Sequence, residues 1–296
     1  MEQARISFYD QIDRNKRKSW FLMFLIFAVF LLLGYVISQI YSAGSFFVIM
    51  ILSIIISLSY ILISYYNSDK IALASVNAKP ADRTQYRRYY NLVEGLIIGA
   101  GLPMPKLYVM QNEQINAFAT GRNPEHAVIC VTTGALQKLE EHELEGVLAH
   151  EMSHIGNYDI RFMTLVAVMV GMIAIISELF LRSLWFKGKD NNEGKGNAIF
   201  LIIGIILAIL APIVVQLVQL AISRKREFTA DANAVKITRT PTGLVKALKK
   251  IKGDKPMKVN KAMAPLFMAD PARNKLANLL STHPDINERI KILEKM

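Results

Sequence analysis

The sequence predicts a mainly α integral membrane protein: four transmembrane helices joined to a cytoplasmic α+β domain with a small β-sheet. Three observations carry this. Hydrophobic residues make up 52% of the 296-residue chain, at a mean hydropathy of +0.29. They lie in long unbroken runs rather than at the two- or 3.6-residue spacing of soluble strands and helices. Between and after the runs stand two polar stretches with mixed helix and strand signals. The net charge of +11 gathers at one end, where residues 223–296 hold 17 basic and 7 acidic side chains. This apolar content excludes a disordered chain, and a single cysteine, Cys130, excludes a disulfide scaffold.

A bilayer span needs about 20 apolar residues. Residues 1–66 supply a cytoplasmic N-terminus and a membrane hairpin, with uncharged spans Trp20–Ile40 and Phe46–Tyr66. The length of the first run, and a second following at once, favour a retained hairpin over a cleaved signal peptide. Residues 67–161 form a first cytoplasmic part. Residues 162–222 form a second hairpin, Phe162–Leu181 (apolar except for Glu178) and Ala198–Ile222 (kinked at Pro212). Residues 223–296 form a second cytoplasmic part. The basic clusters Arg14–Lys18 and Arg224–Arg226 flank the spans, so the positive-inside bias puts both termini and residues 67–162 in the cytoplasm. The basic C-terminal part has no aromatic–basic pattern for nucleic acid, and anionic lipid accounts for it more simply. The bilayer is therefore the expected partner, and nucleic acid is not.

Within the first polar part, Ala81–Ala100 reads as a helix stopped by Gly101. Lys106–Met110, Ala117–Thr120 and Ala127–Thr132 are short strand-type runs. Glu140–Ile155 has apolar residues at helical spacing, with Gly156 placed as its terminator. In the second part, helix is expected to continue from the fourth span through Ala234. The lysine-rich stretch Lys246–Lys261, interrupted by Gly253 and Pro256, reads as a mobile loop.

The chemistry concentrates in His150-Glu151-Met152-Ser153-His154. On a helix, residues i and i+4 share a face, so both imidazoles can meet one metal ion. Glu151, one position after the first of them, can serve as general base toward water at the metal. Zinc suits such nitrogen and oxygen donors, one ion per chain. The third ligand should be a carboxylate from another helix. Glu227 qualifies, although spacing alone leaves it equally open to pairing with Arg224 or Arg226. Asp231, one turn on, can accept a hydrogen bond from a ligand histidine and orient it. At about 1.5 Å of rise per residue, these positions put the metal within roughly 10–15 Å of the membrane surface.

These residues, together with Asn116-Ala117-Phe118-Ala119-Thr120-Gly121, Asn157, Asp159, Ser281-Thr282-His283-Pro284 and Arg289, resemble the HtpX family. Its members are bacterial membrane zinc metalloproteases related to the CAAX prenyl proteases. The resemblance runs from the first span to the C-terminus and implies a zincin-like catalytic domain with Glu227 as third zinc ligand. It further implies that His283 stabilises the oxyanion with Arg289 in support. Asn116, Ala117 and Phe118 would bind an extended substrate backbone by strand addition. The implied activity is cleavage of misfolded or damaged membrane proteins, or other unfolded polypeptides, at the bacterial plasma (inner) membrane under stress, with other quality-control proteases as implied cooperating partners. Two rival readings stand beside it: a CAAX-type processing protease, and a membrane scaffold with a structural metal site.

Overall fold

The computed structural model describes residues 8–38, 45–168, 224–257, 259, 263–269, 271 and 284–296. Helices α1 (Phe8–Ser38) and α2 (Phe46–Ser75) pack against each other as a hairpin. Large apolar side chains, among them Trp20, Phe24, Phe47, Ile55 and Ile63, stand exposed on this pair. A continuous apolar surface of this kind belongs against lipid or protein rather than water. Among the described residues, one helix, α2, is long and apolar enough to cross a membrane. It kinks at Asn67, the residue after the predicted span ends, where φ is −117° and ψ is 15°. The third predicted span is helical over its described residues, 162–168, in a helix that starts at Asp159. The remainder of it and the whole fourth span, with Glu178 and Pro212, lie outside the described residues.

The polar parts build a four-stranded mixed sheet, ordered β1 (Lys79–Pro80), β2 (Lys106–Met110), β4 (Ala127–Thr132), β3 (Ala117–Gly121). β2 runs parallel to β4, and β3 runs antiparallel to it with Phe118 opposite Cys130. β3 is thus an edge strand. One face of the sheet carries α3 (Arg87–Ala100), α4 (Thr133–Lys138), α5 (Glu141–Gly156), α6 (Arg224–Thr238) and α7 (Thr242–Gly253) around a core that includes Tyr89, Ile129, Leu144, Leu148 and Ile251. The other face packs Phe118, Val128 and Cys130 against Met163, Met263 and Phe267. A short helix, α8 (Ile286–Leu293), closes the chain.

Three expectations need correction. α3 begins at Arg87 rather than near Ala81, because the Asp82 carboxylate accepts from the Thr84 and Gln85 N–H groups and holds a turn there. The helix does end at Gly101, which takes a left-handed φ of 65°. α5 includes Gly156, and its chain reversal is made by Tyr158, at φ 58°. Finally, Lys246–Gly253 is not loop but most of α7. Leu244, Ala247, Leu248 and Ile251 recur at helical spacing and are buried, which outweighs the lysines on the outer face. α7 crosses α5 very closely: a Cβ on Gly146 would stand 2.6 Å from Leu244 N, and one on Gly243 2.0 Å from His142 O.

Candidate metal centre

α5 starts with a capping box: Glu140 N–H donates to the Glu143 carboxylate, which also pairs with Lys250 of α7 at 2.6 Å. Bound at its start and crossed tightly by α7, this helix presents His150, Glu151 and His154 as buried side chains. α6 lies alongside and brings Glu227 to the same point. The histidine Nε2 atoms are 3.2 Å apart, and each lies 3.6 Å from a Glu227 oxygen.

The outer ring nitrogens are occupied. His150 Nδ1 is 2.9 Å from Asp231 Oδ1, and His154 Nδ1 is 3.1 Å from Asp159 Oδ2. With Nδ1–H donating to a carboxylate in each case, both Nε2 lone pairs point at the Glu227 carboxylate. Three electron-rich atoms turned toward one another repel unless a cation lies among them. Metal–ligand bonds of about 2.0–2.1 Å at the tetrahedral angle place neighbouring donors about 3.4 Å apart, close to the 3.2 and 3.6 Å found. The donor set therefore fits a divalent metal. Burial and the nearby Arg289 guanidinium oppose protonation of His150, yet hydrogen bonds to Asp231 and Glu227 outweigh them and lift its pKa to about 9.

Asp231 is itself held by Arg289 of α8, whose Nε and Nη2 donate to its two oxygens at 2.8 and 2.7 Å. Burial raises the Asp231 pKa, but Arg289 and His150 prevail and bring it down to about 2. Arg289 also donates from Nη1 to the Met268 carbonyl at 2.9 Å. Glu151 is fully buried, which pushes its carboxyl pKa up against the opposing pull of both histidines. Among the described residues its Oε1 has no hydrogen-bond partner.

The edge strand is partly covered by the chain itself. Met268 N–H donates to Ala117 O at 2.8 Å, Asn116 Nδ2 donates to Ala269 O at 3.0 Å, and Phe267 lies antiparallel across from Phe118 with the rings 5.0 Å apart. Of the predicted site residues, the structure gathers His150, Glu151, His154, Glu227, Asp231 and Arg289, and sets Asn116, Ala117 and Phe118 on the sheet edge. His283 lies outside the described residues. Asp159, holding His154, has no role in the reading of the sequence. The available signal was an aspartate five residues past His154, just beyond the helix end.

Two histidines one turn apart on a helix, an adjacent glutamate and a carboxylate from a second helix define a metallopeptidase. A family model described as Peptidase family M48 matches residues 83–296. Proteins named "Protease HtpX homolog" align over nearly the whole chain. That of Thermoanaerobacter pseudethanolicus is 43% identical over 300 residues, covering 99% of each chain. That of Dictyoglomus thermophilum is 41% identical over 292 residues, covering 98% of this chain and 95% of its own. Among solved structures, the crystal structure of S. mikatae Ste24p aligns with a TM-score of 0.47 at 20% identity, covering 96% of this chain and 66% of that one. The chain belongs to peptidase family M48 and, within it, to the HtpX membrane metalloproteases.

Proposed function

We propose that this protein is a zinc endopeptidase of the bacterial plasma membrane that cleaves misfolded or damaged membrane proteins and other unfolded polypeptides. It has four spans, and both termini and the active site face the cytoplasm. The observation that carries the reading is the buried triangle of His150, His154 and Glu227 with Glu151 beside it. These three residues would hold one zinc ion. Zinc supplies Lewis acidity, enough to make water a competent nucleophile near neutral pH.

Each remaining role belongs to the chain. Glu151, kept dry and raised in pKa, takes a proton from the attacking water and passes it to the leaving amine. Asp231 and Asp159 fix the tautomers of the two histidines, and Arg289 locks Asp231. His283 donates to the oxyanion as the scissile carbonyl becomes tetrahedral. Asn116, Ala117 and Phe118 bind the substrate backbone as an added strand. The segment Phe267–Ala269 supports this last role, since Phe267 already bridges that edge antiparallel and Met268 N–H donates to the Ala117 carbonyl. A substrate must displace it. Lipid on the apolar hairpins keeps the cleft near chains that fail to integrate into the bilayer.

The test is casein hydrolysis by detergent-purified wild type and Glu151→Gln, with zinc quantified in both. One equivalent of zinc in each, with cleavage lost by about 10³-fold or more in the variant, is the expected result. Zinc in both with equal cleavage would remove Glu151 from the mechanism, and zinc in both without any cleavage would favour a structural metal site.

A further inference from the structure

Asn15 lies on α1, five residues before the first predicted span, yet it is buried against the metal centre. Its Nδ2 donates to Asp159 Oδ1 at 2.7 Å and to the Asn157 carbonyl at 2.9 Å. The other Asp159 oxygen is the one that holds His154 Nδ1. We propose that Asn15 is a positioning residue for the metal ligand His154, acting through Asp159. A helix of the membrane hairpin thereby becomes part of the support of the catalytic metal. The proposal rests on the reading of His154 as a ligand.

The chemistry of the contact favours a primary amide. The left-handed turn at Tyr158 frees the Asn157 carbonyl from α5 and turns it toward α1, next to Asp159. A carboxylate and a carbonyl side by side in a buried place need two donors without another acceptor between them. One NH₂ group supplies both. Asp159 is 1% exposed, so bulk solvent does not reach its Oδ1 in the folded protein, and an aspartate held by one oxygen is freer to rotate about its terminal torsion. Arg226, at 3.8 Å, contributes charge without a hydrogen bond at that distance. Lys16, over the Tyr158 ring at 4.5 Å, keeps α1 seated on the same turn. A residue that merely fastened α1 to the domain would leave the metal untouched when removed. A residue that orients Asp159 would not.

The experiment uses the full chain in detergent in a Glu151→Gln background. Zinc affinity is read by chelator competition, and the visible spectrum of the cobalt-substituted protein is recorded. Asp159→Asn should weaken zinc binding about 10–100-fold, as outer partners of metal ligands do, and Asn15→Ala about tenfold with a shifted cobalt spectrum. The double variant should bind as Asp159→Asn does, because the two act through one bond. Asn15→Ser, which keeps a single donor, should fall between wild type and alanine, and it decides the case where Asn15→Ala does not fold. Unchanged zinc affinity and cobalt spectrum in the Asn15 variants, or effects that multiply in the double variant, would overturn the proposal. His154→Ala is the control on its foundation: if zinc affinity survives that change, the ligand reading itself has failed.

Discussion

Consider the replacement of Arg289 by methionine. The guanidinium is 1% exposed and makes two hydrogen bonds to Asp231, which is equally buried, and a third to Met268 O. Methionine fills much of the same volume but leaves the Asp231 carboxylate with His150 alone. Breaking a buried pair from one side costs about 3–5 kcal/mol, mostly as an uncompensated charge. In a domain of this size each kcal/mol lowers the melting temperature by roughly 2–4 °C, so Arg289→Met should melt roughly 6–20 °C lower. If stranded charge is the cause, Arg289→Met with Asp231→Asn should recover most of that loss, since the amide still offers an oxygen to His150 Nδ1–H. Zinc affinity should not recover in step, because a neutral amide polarises the imidazole less than a carboxylate. The assay is thermal unfolding of both proteins in one detergent in a Glu151→Gln background, alongside zinc titration. A double variant as unstable as the two single losses added together would refute the reasoning.

Other outcomes follow from the same geometry. Burial raises the Glu143 pKa, but the Lys250 hydrogen bond and the Glu140 N–H outweigh it and hold the carboxyl low. This pair therefore stabilises the fold above the unfolded value of about 4.3 and is lost as pH falls through the lower folded value. Glu143→Gln should be about 1–3 kcal/mol less stable at pH 7, with the gap closing in acid; a gap constant with pH in denaturant titrations would contradict this. Cys130 is fully buried and its thiol pKa is pushed up by burial, so it should resist maleimide in the folded protein and react on unfolding; rapid labelling without unfolding would refute its placement. Leu266 is buried as an anchor of the segment on the sheet edge. Leu266→Ala should loosen that segment and raise kcat/KM for short peptides several-fold. A fall at unchanged stability would mark the segment as a wall of the cleft.

Much of this site was legible in the sequence because its signals are local. His150, Glu151 and His154 declare themselves by helical spacing, and the strands by short β-type runs with polar breaks. Glu227 was ambiguous by spacing because arginines flank it, and only the packing of α6 against α5 sets it facing the histidines. Asn15 was not legible at all: an asparagine among arginines and lysines looks solvated until the tertiary fold puts it against residues 142 to 144 positions away. Lys246–Gly253 carries loop-like glycine and lysine content with Pro256 just beyond it, and only packing against α5 shows that the buried face of Leu244, Leu248 and Ile251 decides for helix.

The covered strand edge has one more consequence. A segment tethered a few ångströms from its binding place competes at an effective concentration of about millimolar, with no ordering cost left to meet. In the proposed strand addition, an incoming chain would win only if it offered a stretch free to extend and arrived at comparable local abundance. Folded proteins fail the first condition and dilute soluble peptides the second. On the proposed strand-addition role, unfolded chains confined to the plane of the same bilayer would meet both, and the enzyme's own backbone would act as a threshold favouring them over folded proteins and dilute peptides.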